Sequence, residues 1–178
     1  MVVFDTSILA ISLDANAAVP LSPETLAPIE NCRARIDFLL QTLSANKTRV
    51  IVPTPVMAEY IVGGGLDKEK RVSKITNAKG FVVESFDLRA AIECALIEDA
   101  DTATGRLLDP NMTKAKIKFD RQIIAIAISR RASTIYTGDL KLAHRARQCS
   151  LSAVLTWELP LPPEPPQQTL DYGEPLPL

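Results

Sequence analysis

Short runs rich in Val, Ile, Phe and Thr alternate with longer helical patterns from one end of this chain to the other. Val2 to Phe4, Arg49 to Val52, Phe81 to Val83, Thr134 to Thr137 and Ala153 to Thr156 read as strands. Each is brief and rich in β-branched or aromatic residues, as strands covered on both faces tend to be. Helices are expected between them, over Ile29 to Ser44, Pro55 to Val62, Asp67 to Asn77, Leu88 to Thr104, Lys116 to Arg131 and Leu140 to Gln148. The run Gly63-Gly64-Gly65 stops the second of these, because glycine takes the left-handed cap conformation without penalty. Strand–helix–strand alternation predicts an α/β fold: a parallel sheet covered by helices and joined by right-handed crossovers.

With 178 residues, 47% of them apolar, the chain has the material for one domain with a substantial core. Two segments depart from the alternation. Ser12 to Pro28 holds three prolines and reads as a long loop after the first strand. Pro160 to Leu178 holds seven prolines and no Lys or Arg. Proline fixes φ and lacks an amide donor, so that stretch is expected to be an extended arm rather than part of the sheet. The expected organisation is a domain over residues 1–159 and a proline-rich tail over 160–178.

No apolar run approaches the ~20 residues that cross a bilayer. The amino terminus is apolar but has no basic region before it and meets an acid at position 5, so it does not read as a signal peptide. Cys32, Cys94 and Cys149 are scattered and odd in number, which fits neither a disulfide framework nor a zinc site. A cytoplasmic protein without a membrane partner is expected. The net charge of −1 leaves a nucleic-acid partner open, because a cluster of acids cancels basic residues elsewhere in the total.

Four acids carry the chemical signal. Asp5 closes the first strand and Asp139 the fourth, and open parallel sheets bind ligands beyond the carboxyl ends of their strands. Each also suits the cap of a following helix, so either alone says little. Two strands delivering acids to one sheet edge say more. Glu59 borders the apolar stripe Val52, Val56, Tyr60 and Gly63, where a solvated boundary glutamate is the plain alternative. Asp120 is placed at the opening of the most apolar helix, one turn before Ile123 and Ile124, where capping is the competing role. Clustered carboxylates repel unless a cation neutralises them. Oxygen ligands suit Mg2+ or Mn2+, which retain waters and engage phosphates, so the indicated chemistry is metal-assisted phosphodiester hydrolysis. The single histidine, His144, gives a histidine mechanism little material and reads as a helix-surface residue.

Taken in order, Val3-Phe4-Asp5-Thr6-Ser7, Pro53-Thr54-Pro55-Val56-Met57-Ala58-Glu59-Tyr60, Phe119-Asp120-Arg121-Gln122-Ile123-Ile124-Ala125-Ile126-Ala127 and Ile135-Tyr136-Thr137-Gly138-Asp139 resemble the PIN-domain family. The likeness is greatest to the VapC-type toxins of bacterial toxin–antitoxin pairs, and it spans residues 1 to about 157. No one motif is specific; the signal lies in the ordered set. The resemblance implies a three-layer α/β/α sandwich with a central parallel sheet. It also implies a Mg2+ or Mn2+ site built by Asp5, Glu59, Asp120 and Asp139, endonucleolytic cleavage of RNA, and a homodimer held in check by an antitoxin protein.

Many relatives carry another acid two residues beyond the position of Asp139, where this chain has Lys141. That puts a second metal in more doubt than the first. Lys118, Arg121 and Lys141 lie close to the proposed ligands and are candidate phosphate contacts, against the commoner role of solvated surface charges. Thr6, Ser7 and Thr137 are candidate hydrogen-bond donors to the acids, or simply to local backbone. A haloacid-dehalogenase-type phosphatase would need a second Asp where Ser7 stands, and Val83-Glu84-Ser85 does not offer the phosphoacceptor of a receiver domain. The alternative to a nuclease is a PIN-like interaction module without activity.

Overall fold

A computed structural model describes residues 1–23, 25–103 and 113–164. Its strands are β1 (Val2–Phe4), β2 (Val50–Pro53), β3 (Phe81–Glu84), β4 (Thr134–Thr137) and β5 (Ser152–Leu155). Its helices are α1 (Thr6–Leu13), α2 (Cys32–Ala45), α3 (Thr54–Val62), α4 (Lys68–Asn77), α5 (Leu88–Ala103), α6 (Lys114–Ser129) and α7 (Leu140–Gln148). All strand pairs are parallel, in the order β3-β2-β1-β4-β5.

That order follows from the chain path. From β1 the chain steps outward to β2 and β3, then returns past β1 to β4 and steps outward again to β5. Crossovers of this kind are right-handed in nearly all proteins, so steps in opposite directions lay their helices on opposite faces. The result is the three-layer α/β/α sandwich. β1 and β2 sit inside it and are buried along their whole length, whereas the edge strands β3 and β5 carry exposed or half-exposed positions.

The core gathers on both faces of β1. Phe4 is fully buried, with the rings of Phe81 and Tyr136 edge-on at centroid distances of 5.9 and 5.8 Å. α6 is the most buried helix, with Ile123, Ile124, Ala125, Ile126 and Ala127 all removed from solvent. No described helix is long and apolar enough to cross a membrane.

Several expectations need adjustment. α1 has no counterpart among the expected helices; Asp5 caps it, accepting a hydrogen bond from the Ile8 amide. The loop expected over Ser12 to Pro28 therefore starts later, and α2 begins at Cys32 rather than Ile29. Arg33 ties this loop down by donating to the carbonyls of Asp14 (3.3 Å) and Ala17 (2.6 Å). α3 stops at Val62, but the left-handed residue is Gly65 (φ 54°), which opens a short 3-10 turn over Gly65–Asp67. α6 starts at Lys114 behind a Thr113 cap, so Asp120 lies in its second turn and caps nothing. Pro160 to Glu164 form neither helix nor strand. Residues 165–178 of the expected tail, and Thr104, lie outside the described residues.

Ile124 is fully buried in α6, where truncation leaves a cavity. Ile124→Ala should cost about 2–5 kcal/mol of unfolding free energy in urea denaturation. A loss under about 1 kcal/mol would mean the helix does not pack as described.

Candidate active site

Between β1 and β4 the winding direction reverses, and their carboxyl ends open a cleft of about 370 Å3. Asp5, Thr6, Ser7, Glu59, Lys116 and Asp139 line its polar side. Phe119, Ile123, Leu140 and Leu142 supply its apolar lining.

Asp5 is buried and held by four donors. Its Oδ1 accepts from Ser7 Oγ (2.8 Å) and the Ile8 amide (2.9 Å); its Oδ2 accepts from Thr137 Oγ1 and the Gly138 amide (3.2 Å). Burial pushes its pKa up, and these four hydrogen bonds work against that rise without cancelling it. Gly138 is required by a close approach. A Cβ there would stand 2.7 Å from Ser7 Oγ, the same oxygen that accepts the Gly138 amide at 3.0 Å. Glu59, on α3, is exposed, and Thr6 Oγ1 donates to its Oε2. All three hydroxyls singled out in the sequence therefore contact an acid.

Asp139 caps α7, its Oδ1 accepting from the amides of Lys141 (2.8 Å) and Leu142 (3.1 Å). Its Oδ2 faces Lys116 Nζ at 2.8 Å, and the same ammonium lies 3.1 Å from Asp120 Oδ1. Burial presses on all three groups, with different outcomes. Asp139 is partly buried, which raises its pKa, but the ammonium and the helix amides outweigh this and hold it below the ordinary value. Asp120 is fully buried and displaced upward by desolvation, which the ammonium only partly offsets and Asp139 reinforces. Lys116 is held well above the ordinary lysine value: desolvation works against its charge, and the two carboxylates prevail. Neither Asp120 oxygen has a hydrogen bond of good geometry among the described residues, so the 3.1 Å contact is an ion pair only.

The four acids thus divide. Asp5, Glu59 and Asp139 line one cleft, and Asp120 stands beside it against Lys116. Among the described residues no three His, Cys, Asp or Glu side chains are gathered closely enough to hold a metal ion in this conformation. The chemistry of the donors nonetheless suits one: all are carboxylates, one is fully buried with the lysine ammonium beside it, and that cation already sits between two of them.

Lys116 was not among the site residues expected from the sequence, although its position four before Asp120 puts the two on one helix face. Arg121 is a correction. It is buried and turned toward α5, pairing with Asp101 (3.1 Å) and Glu98 (3.1 Å), because a guanidinium enclosed between two helices needs carboxylates. It is not available to RNA. Arg145 joins the same cluster through Asp101 at 3.4 Å. Lys118 and Lys141 are exposed, and His144 is on the helix surface.

No protein-family model matches this sequence, and no curated protein does. Solved structures do. The VapBC2 complex of Rickettsia felis bound to a promoter DNA fragment contains a similar chain, with TM-score 0.58 at 18% identity over 87% of this chain and 98% of that one. A DNA-bound VapBC of Salmonella typhimurium matches with TM-score 0.55 at 18% identity over 87% and 97%. VapBC-1 of nontypeable Haemophilus influenzae matches with TM-score 0.57 at 17% identity over 88% and 98%. At these identities the likeness is one of fold: the architecture is PIN-like, as the ordered motifs implied.

Two predictions follow from the electrostatics. Folding raises the Asp120 pKa, so its ionised form costs stability above the folded pKa, and the cost fades below the unfolded one. Asp120→Asn should raise the melting temperature in EDTA at neutral pH, with the gain gone at strongly acid pH. A mutant no more stable than wild type at neutral pH would count against that cost. Arg121→Met should lower stability by about 1–3 kcal/mol, since Asp101 loses its closer guanidinium but keeps Arg145, and Glu98 is open to water. A loss too small to measure would mean that the cluster holds nothing together.

Proposed function

We propose that the protein is a Mg2+- or Mn2+-dependent endoribonuclease, and the toxin of a toxin–antitoxin pair. The observation that carries this is the convergence of Asp5, Glu59 and Asp139 on one cleft at the sheet's switch point, with Asp120 joined to Asp139 through a shared cation. In this reading Asp5, Glu59, Asp120 and Asp139 hold the ion. Bound there, it would polarise the phosphoryl oxygen and supply a water of lowered pKa.

The chain's own groups prepare that chemistry. Ser7, Thr137 and the Ile8 and Gly138 amides fix both oxygens of Asp5. The first amides of α7 fix one oxygen of Asp139 and leave the other turned to the cleft cation. Thr6 restrains Glu59. Lys118 and Lys141 are the exposed cations proposed to contact RNA phosphates, giving salt-sensitive and weakly sequence-selective binding. The similar structures are VapBC complexes, which supports an antitoxin protein as partner, and a homodimer is proposed with it. Localisation in the cytoplasm is part of the same reading.

A second reading, an inactive PIN-like interaction module, is favoured by the acids being tied up by Lys116 and Thr6 rather than gathered into a metal site. RNA cleavage separates the two. Asp5→Asn should abolish cleavage while the circular dichroism spectrum is unchanged, and wild-type activity should vanish in EDTA and return with Mg2+ or Mn2+. Full activity in EDTA would remove the metal-dependent reading, and absence of both cleavage and Mn2+ uptake would establish the module.

A further inference from the structure

Lys116 enters the acid cleft from the first turn of α6. The two carboxylates it touches belong to different elements, Asp120 to α6 itself and Asp139 to the turn between β4 and α7. Side by side they repel unless a positive charge lies between them. The ammonium supplies one charge, and it contacts one oxygen of each acid, at 3.1 and 2.8 Å. It leaves Asp120 poorly served. That carboxylate is fully buried, and neither oxygen has a hydrogen bond of good geometry among the described residues. A buried acceptor in that condition is costly and points to a ligand position that the lysine fills incompletely.

We propose that Lys116 is a tethered competitor of the divalent ion: its ammonium holds the cation position between Asp120 and Asp139 in the metal-free protein and is displaced when the metal binds. The inference rests on the metal-dependent reading and deepens it, because it names the residue that sets how tightly the ion is held. Hard cations take carboxylate lone pairs at close range, and an ammonium in direct contact covers lone pairs on both acids. Attachment to α6 keeps the competitor at high effective concentration, so the acids remain neutralised whenever metal is scarce. The lysine thereby trades metal affinity for stability of the metal-free fold.

The test uses the full chain and MnCl2 as the only ligand. Lys116→Met keeps the length of the stem and removes the charge, whereas Lys116→Arg keeps a charge. Isothermal titration should show the Met variant binding Mn2+ about tenfold or more tightly than wild type, with a larger Mn2+-induced rise in melting temperature. The Arg variant should bind no more tightly than wild type. Wild type supplies a measurement that needs no substitution: an amine-reactive reagent, read by mass spectrometry, should label Lys116 faster in saturating Mg2+ than in EDTA. Equal or weaker Mn2+ binding by the Met variant overturns the inference. If that variant does not fold, an unchanged labelling rate in wild type overturns it. RNA cleavage assayed in parallel keeps the readings apart. Tighter Mn2+ binding with no cleavage by either protein removes the nuclease reading alone, and cleavage with equal Mn2+ affinities removes the lysine inference alone.

Discussion

β1 pairs with β2 on one side and β4 on the other, and the crossovers to those neighbours run in opposite directions. No connecting helix is laid over the point where the direction changes, so the carboxyl ends of β1 and β4 open side by side into a cleft. The in-register pairing Val2↔Thr134, Val3↔Ile135 and Phe4↔Tyr136 brings the next residues of both strands together. Thr137 and Gly138 then donate to Asp5 directly across the junction. Ser7 completes the contact, and only glycine at 138 lets it come so close. The strand pairing that builds the sheet and the hydrogen bonds that orient the first acid are thus parts of one structure. A substitution at Gly138 would disturb both.

The acids at that junction are treated in two ways. Asp5 is solvated by neutral donors, four of them, in place of water. Asp120 and Asp139 share a charge instead, and the division is unequal. Both touch the same ammonium, yet Asp139 is held below its ordinary pKa and Asp120 above. The difference lies in what else each one has. Asp139 receives two amides at the start of α7 and keeps part of its surface in water, whereas Asp120 is enclosed in mid-helix with no amide to accept from. Only one of the pair is at ease without a stronger cation.

Much of this was legible in the sequence, for reasons tied to particular residues. Val2 to Phe4 and Thr134 to Thr137 announce strands by composition, and an acid directly after each marks the same sheet edge. α1 was not legible, because Ile8, Leu9, Ala10 and Ile11 form an unbroken apolar patch with no helical stripe to read. Asp120 does not open its helix as its apolar neighbours suggest, since the true cap is Thr113, seven residues earlier. Arg121 was misread for a different reason. Its neighbours Lys118 and Asp120 point to a polar surface, and the sequence does not reveal that α5 packs against α6 and brings Glu98 and Asp101 to meet it. Pairing between helices far apart in the chain is a property of topology, not of local pattern.

Arg121 turns out to matter to the site it does not enter. Successive residues on a helix project about 100° apart, so the direction of Asp120 is fixed once that of Arg121 is. Arg121 is locked to α5 by two carboxylates, and Arg145 of α7 reaches the same Asp101. Three helices are thereby joined through the buried Asp101 carboxylate, with the more exposed Glu98 as a further contact of Arg121. In that orientation Asp120 is buried and the Lys116 ammonium meets both it and Asp139. The buried ion cluster on one side of α6 and the cation-bridged acids on the other are two consequences of a single helix orientation. Fold similarity alone does not argue an activity. Here the geometry of one helix face supplies the chemical argument that the shared architecture cannot.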